Sequence, residues 1–287
     1  MRFGLSTHIF HGERLSRAHL HTIKSSGFDL VEIFATRTHI DYHDARHVDD
    51  VRRWLDELGL TASSVHGPIC ASFTDGVWGK SFSNASTETA RRDEALAETA
   101  TAFDAARRLG ASYLVVHLGL PRFQEIPPGD NDAGAVRRSV EALARAADAS
   151  GVQLALEVIP NALSTPDALL ELLDELEIDA GICLDFGHAH LGDGAPEAAE
   201  ALSGHIITTH VHDNKGQLDN HLVPFDGTID WPATLMAMSK VGYSGPLMFE
   251  VADHGDAPGT LARSIRARTR LQAIIDDLAT PMEFGQG

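Results

Sequence analysis

The segment from His210 to Trp231, HVHDNKGQLDNHLVPFDGTIDW, holds three histidines (His210, His212, His221) and four aspartates (Asp213, Asp219, Asp226, Asp230). Imidazoles and carboxylates crowded together are the ligand set of a hard-to-borderline divalent metal ion. The segment follows Ile206-Ile207-Thr208-Thr209, a β-branched run that reads as a strand, so these groups would stand at a strand end. The pattern recurs. His66 ends the run SSVH, His117 ends YLVVH and Glu157 ends LALE. Asp185 ends ICLD with His188 close behind, and Glu250 ends LMFE. One histidine at a strand end is ordinarily a rim residue. Six successive runs ending in His, Asp or Glu call for a cation, because bare carboxylates gathered at one mouth repel one another and lose solvation.

The elements that must position these groups alternate along the whole chain. Eight short apolar runs are expected as strands: Phe3-Ser6, Leu30-Phe34, Ala62-His66, Tyr113-His117, Gln153-Val158, Ala180-Asp185, His205-Val211 and Leu247-Val251. Helix-period stretches lie between them, including Val48-Leu58, Glu88-Leu109, Ala133-Ala149 and Pro166-Leu176. Gly27, Gly59, Gly110, Gly151 and Gly242 sit where helices would end before the next strand. Eight such units predict an α/β fold, a single (β/α)8 TIM barrel, and 287 residues suit it. One barrel domain is expected over residues 1–279 and a loose tail over 280–287. An open doubly wound sheet would carry a Gly-rich phosphate turn after its first strand, and Ser6 to Gly12 (STHIFHG) is not one.

Composition narrows the partners. Net charge is 23 − 41 = −18, and the basic pairs Arg52-Arg53, Arg91-Arg92, Arg107-Arg108 and Arg137-Arg138 fall inside helical stretches, where they read as solvated faces. Such a surface repels phosphate backbones, so nucleic acid is not the expected partner. No apolar run approaches a membrane span and the N-terminus lacks a signal-peptide pattern. The two cysteines, Cys70 and Cys183, form no CxxC pair. A cytoplasmic protein is expected, and a homo-oligomer stays open.

At the strand ends the chain resembles the xylose isomerase-like barrel superfamily. That group includes sugar phosphate isomerases/epimerases, ketose 3-epimerases, inosose dehydratases and isomerases, and endonuclease IV. The resemblance spans nearly the whole chain, and the CLDFGH and D-x-H…G-x-I-D-W segments are its most specific parts. The ketose 3-epimerase pattern implies one divalent metal on Glu157, Asp185, His210 and Glu250, with the two glutamates moving the proton and His188 also in the site. The endonuclease IV pattern implies three zinc ions on His66, His117, Glu157, Asp185, His188, His210, Asp219, His221 and Glu250.

The match to endonuclease IV departs beyond the metal. Asp219-Asn220-His221 stands where that family has Asp-Arg-His, and Glu157-Val158-Ile159-Pro160-Asn161 where it has Glu-Asn-Thr. The loop Gly67 to Asn84 carries only Lys80, against Asp75. Asp219-Asn220-His221-Leu222-Val223-Pro224 instead resembles the D-x-H-L-x-P motif of several sugar-isomerase-like members. The resemblance therefore implies a metal-dependent isomerase or epimerase acting on a small carbohydrate, a sugar, sugar phosphate or polyol. The alternatives are an endonuclease IV-like zinc phosphodiesterase (an AP endonuclease) and a metal-dependent dehydratase or lyase. One to three ions are implied, and the histidine-rich set leans to zinc, manganese or cobalt over magnesium.

Other residues carry weaker signals. Trp78, Phe73 and Phe34 fall in or near mouth loops and could stack on a sugar face or simply pack. His8 and His11 follow the first strand and could line the mouth. His39, His43 and His47 cluster after the second strand, where a loop lid or a helix start is as good a reading as a metal ligand. His212 is expected on the opposite side of its strand from His210, in a supporting role. Asp213 is expected to hydrogen-bond a ligand histidine, and Asp230 to cap the helix opening at Trp231-Pro232.

Overall fold

The structure is a computed structural model that describes residues 1–279, so the tail expected over 280–287 lies outside the described residues. All eight apolar runs are strands: β1 (Arg2–Ser6), β2 (Leu30–Phe34), β3 (Thr61–His66), β4 (Tyr113–Val116), β5 (Gln153–Glu157), β6 (Ala180–Asp185), β7 (Ile206–Val211) and β8 (Pro246–Phe249). They close in sequence order into a parallel barrel, β8 pairing with β1 through Phe3 opposite Leu247. The main crossover helices are α1 (Arg17–Ser25), α2 (Ala45–Leu58), α3 (Thr89–Leu109), α4 (Ala133–Ser150) and α5 (Pro166–Leu176). The short α6 (Phe186–His190) and α7 (Ala195–Ala201) together follow β6, and α8 (Trp231–Lys240) and α9 (Ala257–Ala279) complete the ring. The chain is thus a (β/α)8 barrel.

Local chemistry sets the element ends. Asp44, Asp132, Thr165 and Asp230 each accept a backbone N–H in the first turn of the helix that follows, which bears out the cap expected of Asp230. Gly59, Gly110 and Gly151 close α2, α3 and α4 in the left-handed conformation, with φ of 62°, 72° and 71°. The basic pairs lie on α2, α3 and α4, as read from the sequence.

Two apolar layers follow from strand alternation. One face of each strand packs against the helices, through residues such as Leu154, Leu156, Ile182 and Leu184. The other lines the barrel interior, where Val115, Ala155 and Cys183 pack together. Two residues further along β5 and β6, on that same inner face, come Glu157 and Asp185. The register places Asp185 opposite His210 and Cys183 opposite Glu157. The polar groups therefore sit on top of a packed apolar floor, at the C-terminal mouth where barrels of this class place their chemistry.

Candidate metal centre at the barrel mouth

Every strand-end residue singled out by the sequence reaches this mouth. Glu157, Asp185 and His210 are fully buried, and His66, His188 and Glu250 nearly so. The His210 Nδ1 atom lies 2.9 Å from Glu157 Oε1, 3.4 Å from Glu250 Oε2 and 3.7 Å from Asp185 Oδ2. Glu157 Oε2 faces His117 Nε2 at 2.9 Å and His66 Nε2 at 3.4 Å. A third corner centres on Asp219, whose Oδ2 is 3.0 Å from His188 Nε2 and 3.2 Å from His221 Nε2. Side-chain donor atoms thus converge in overlapping groups: His66/His117/Glu157, Glu157/Asp185/His210/Glu250 and His188/His212/Asp219/His221, with His66/His210/Glu250 and Glu157/Cys183/His210 linking the first two. Glu157 belongs to the first two.

These groups fit a metal on three counts. A zinc ion about 2.0–2.1 Å from four tetrahedral ligands spaces those ligands about 3.3 Å apart, close to the separations seen here. Next, the ring nitrogens are committed in pairs. His188 Nδ1 donates to Val158 O (3.0 Å) and His221 Nδ1 donates to Glu250 O (2.8 Å), leaving each Nε2 aimed at a carboxylate. His210 Nε2 donates to Glu32 Oε2 (3.1 Å) and aims Nδ1 at three carboxylates. A nitrogen so placed needs either a second proton or a cation. Finally, His117 Nε2, Glu157 Oε2 and Asp219 Oδ1 are buried without a well-formed hydrogen bond.

The ionisation of the metal-free groups follows from this crowding. Burial works against charge on His66, but Glu157, then Glu250 and Glu32, raise it to about 9. Burial likewise opposes charge on His221, and Asp219 raises it to about 10. His188 and His210 move up in the same way, by Asp185 and Asp219 for His188 and by the buried groups around His210. Burial would raise Glu157 and Asp219, yet His210 and His117 hold Glu157, and His221 and His188 hold Asp219, well below the usual carboxylate range.

The signs give a stability profile for the metal-stripped protein. A raised histidine stabilises fully below its unfolded pKa near 6.5, and that stability is lost as pH rises through about 9 and 10. The lowered carboxylates stabilise above about pH 4 and lose that contribution as pH falls through their depressed values. The melting temperature of stripped protein is therefore expected to fall between pH 7 and 10, and that of metal-loaded protein much less. A flat profile for the stripped protein over this range would contradict the assignment.

The sequence reading missed Glu32 and misplaced His212. Glu32 lies mid-strand in β2, fully buried, and accepts from His210 Nε2 and from Ser64 Oγ (2.7 Å). Its signal was a lone carboxylate in the run LVEIF, all of which is buried. His212 does not point away from His210: residues two apart on a strand share a side. It is buried, Nε2 lies 3.0 Å from the Asp185 carboxylate, and its ring stacks on His221 with centroids 3.9 Å apart.

Asp213 also departs from expectation. It bonds no ligand histidine. Its carboxylate accepts from the backbone N–H of Asn214, Phe225 and Ile229 and from Trp231 Nε1, at 2.9 to 3.1 Å. It is the knot of the loop that carries Asp219 and His221. His39 Nδ1 donates to Glu13 O, and His43 pairs with Glu98 at 2.9 Å; neither they nor His47 join a metal group among the described residues.

Above the ligands opens a cleft of about 1010 Å³. His66, His117, His188, Asp219, His221 and Glu250 reach it from the metal groups. One wall is aromatic and adjoins the ligand groups, His8 lying 5.0 Å from His221 between ring centroids. His8, His11 and Trp78 stack in sequence, with centroids 4.7 and 5.0 Å apart and rings within 13° of parallel. Phe73 and Trp78 come from a two-residue-per-strand hairpin, Phe73–Thr74 with Val77–Trp78, inside the loop after β3. No Lys or Arg is among the described residues that line the cleft.

Barrel and mouth together define a parallel (β/α)8 scaffold with an imidazole–carboxylate centre. The chain belongs to the family described as xylose isomerase-like TIM barrel, whose model matches residues 20–271. A curated relative, the uncharacterized protein MJ1311 of Methanocaldococcus jannaschii, is 28% identical over 271 residues, covering 90% of this chain and 86% of its own. Among solved structures, a D-tagatose 3-epimerase-like protein superposes with a TM-score of 0.77 at 24% identity, covering 98% of this chain and 100% of that one. D-psicose 3-epimerase with D-tagatose, from Clostridium cellulolyticum H10, gives 0.77 at 17% identity, covering 96% and 99%. An IolI protein with a bound zinc atom gives 0.75 at 18%, covering 98% and 100%. None of the helices among the described residues is long and apolar enough to cross a membrane.

Proposed function

We propose that this chain is a divalent-metal-dependent isomerase or epimerase of a small, unphosphorylated carbohydrate. The observation that carries the reading is the placement of two buried glutamates. Glu157 and Glu250 come from β5 and the end of β8, share His66 and His210 as neighbours, and lie under a cleft of sugar-binding size. Glu157, Asp185, His210 and Glu250 would hold the ion. When bound there, a divalent ion supplies Lewis-acid polarisation of the substrate's carbonyl and neighbouring hydroxyl oxygens.

The chain's own groups then do the following. Glu250, which reaches the cleft, takes the proton from the carbon beside the carbonyl, and Glu157, fully buried beside His66 and His117 that line the cleft, is the second carboxylate for its return. Glu32 fixes His210 through Nε2, so the ring keeps one orientation. His188 has both ring nitrogens engaged, by Val158 O and Asp219, so it serves as a ligand to an ion rather than as a hydroxyl-orienting group. The stacked wall of His8, His11 and Trp78 offers ring faces and edges to the C–H surface of a sugar, and excludes water from one side. With no Lys or Arg among the described lining residues, and with Asp219, Glu125 and Glu250 present, the cleft suits a neutral substrate better than a phosphate ester.

The test is proton exchange. Metal-loaded protein is incubated with a panel of ketoses and keto-sugars in deuterated water. Deuterium is expected at the carbon beside the carbonyl, and is expected to be lost in Glu250→Gln. No exchange across the panel, together with cleavage of an abasic-site duplex, would overturn the reading. That second outcome is the three-ion phosphodiesterase, favoured by one observation: the Asp219 corner completes a third group of donors. Against it stand the net charge of −18 and a β3 loop whose one lysine, Lys80, is paired to Glu94.

A further inference from the structure

We propose that Glu98, a residue of α3 that joins no metal group among the described residues, is a positioning residue for the aromatic wall of the cleft. It clamps the loop between β2 and α2, and that loop carries both halves of the wall. The inference rests on the reading that the wall meets the substrate, and it makes Glu98 a remote determinant of substrate affinity.

Glu98 is a carboxylate in an apolar position. It shares one face of α3 with Ala95 and Ala102, both buried, and its own side chain is only 8% exposed. A charge so placed needs partners, and one loop supplies them. Tyr42 Oη donates to Oε2 at 2.6 Å, and His43 Nε2 lies 2.9 Å from the same oxygen. The Arg37 guanidinium donates to both carboxylate oxygens. Burial opposes the charge, yet Tyr42, His43 and Arg37 hold the carboxyl below its ordinary value.

The clamped loop is a strut between the two halves of the wall. Its middle is a closed turn: His39 and Ile40 are buried, and both backbone N–H groups donate to Thr36 O at 2.8 Å. On one side, His39 Nδ1 donates to Glu13 O at 2.6 Å and Leu15 N donates to His39 O at 2.8 Å, which fixes the chain just after His11. On the other side, Thr38 Oγ1 accepts from Phe73 N at 2.9 Å. Phe73 pairs with Trp78 across the hairpin, and the Trp78 ring lies within 6° of parallel to His11. The hairpin base has ties of its own, Arg91 to Ser81 and Lys80 to Glu94, but these lie beyond Trp78. The loop held by Glu98 therefore sets how the His11 and Trp78 rings line up. Alignment matters because a gap of about 0.5–1 Å already forfeits a quarter to a half of a dispersion contact.

The experiment uses full-length, metal-loaded protein carrying Glu98→Gln or Thr38→Val, one change at each end of the strut, with and without Trp54→Phe. Trp231 is buried, so in the Trp54→Phe background acrylamide quenching reports Trp78, which is 41% exposed. Both variants are expected to quench more strongly than that background and to keep the wild-type metal content. Their KM in the deuterium-exchange assay is expected to rise roughly tenfold with kcat within about threefold, the pattern of lost uniform binding. Quenching and KM at wild-type values would overturn the proposal. So would a loss of metal or a fall in kcat as large as the rise in KM, since either marks general loosening of the mouth. If Glu98→Gln does not fold, Thr38→Val, which removes a single hydroxyl acceptor and no charge, decides by the same readings. Should no sugar exchange, the sugar reading falls on its own, and the quenching comparison still tells whether Glu98 holds the wall.

Discussion

Replacing Glu157 with Gln is expected to lower kcat/KM for deuterium exchange by about 10²–10⁴-fold, the range for losing a positioned general acid or base. Metal retention should fall in parallel, because Glu157 is the residue shared by the His66/His117 group and the Asp185/His210/Glu250 group. The amide is nearly the same shape, so packing under the barrel mouth survives while the charge does not. In the stripped variant, His66, His117 and His210 lose the carboxylate they face, and removing one partner of a buried pair typically costs about 3–5 kcal/mol. Glu250→Gln touches fewer groups and should retain more metal. The comparison of exchange rate with metal content in the two variants separates the shared carboxylate from the one nearest the cleft. Activity within tenfold of wild type in Glu157→Gln would remove Glu157 from the reacting centre.

Asp213→Ala is expected to be the most damaging single change to the fold of the mouth. Four donors, the N–H groups of Asn214, Phe225 and Ile229 and the indole of buried Trp231, end on one carboxylate. A buried donor left without its acceptor costs about 1–3 kcal/mol, and partial relaxation toward solvent brings the sum here to about 3–5 kcal/mol. Gly227 packs so close that a Cβ there would meet the carboxylate, so the local chain has grown around this residue. The loss should appear as a shift of the denaturant midpoint, with the Asp219 corner weakened more than the Glu157 groups in metal titrations. A midpoint within about 1 kcal/mol of wild type would show that water replaces the knot.

Much of this architecture was legible in the residues. Strand periodicity and glycine stops located the eight strands to within a residue or two, because each strand is flanked by helices whose caps are local sequence events. The strand-end histidines and carboxylates were legible for the same reason: in a parallel barrel, position along the strand dictates position in space. Glu32 was not, since it stands two residues before the end of β2 and a mid-strand carboxylate has meaning only once His210 is seen across the barrel. His212 stands two residues from His210, and an i, i+2 pair shares one face of a strand, so strand geometry itself puts both at the mouth. Asp213 was legible as important but not as a knot, because its four donors lie up to eighteen residues away in a loop without periodicity. The hairpin at Phe73–Trp78 was visible only as aromatic content.

The loop bearing Asp219 and His221 is latched where it leaves the barrel. Asp213 N donates to Leu222 O and Leu222 N donates to Asp213 O, both at 2.8 Å. Between them, Lys215 to Leu218 are exposed. Chain added or removed in that exposed stretch would be absorbed within the loop that the latch closes, and β7 would keep His210 in place. The latched loop is in effect an exchangeable cassette: replacing the eight residues between Asp213 and Leu222 removes or restores the Asp219 corner while the strands stay the same.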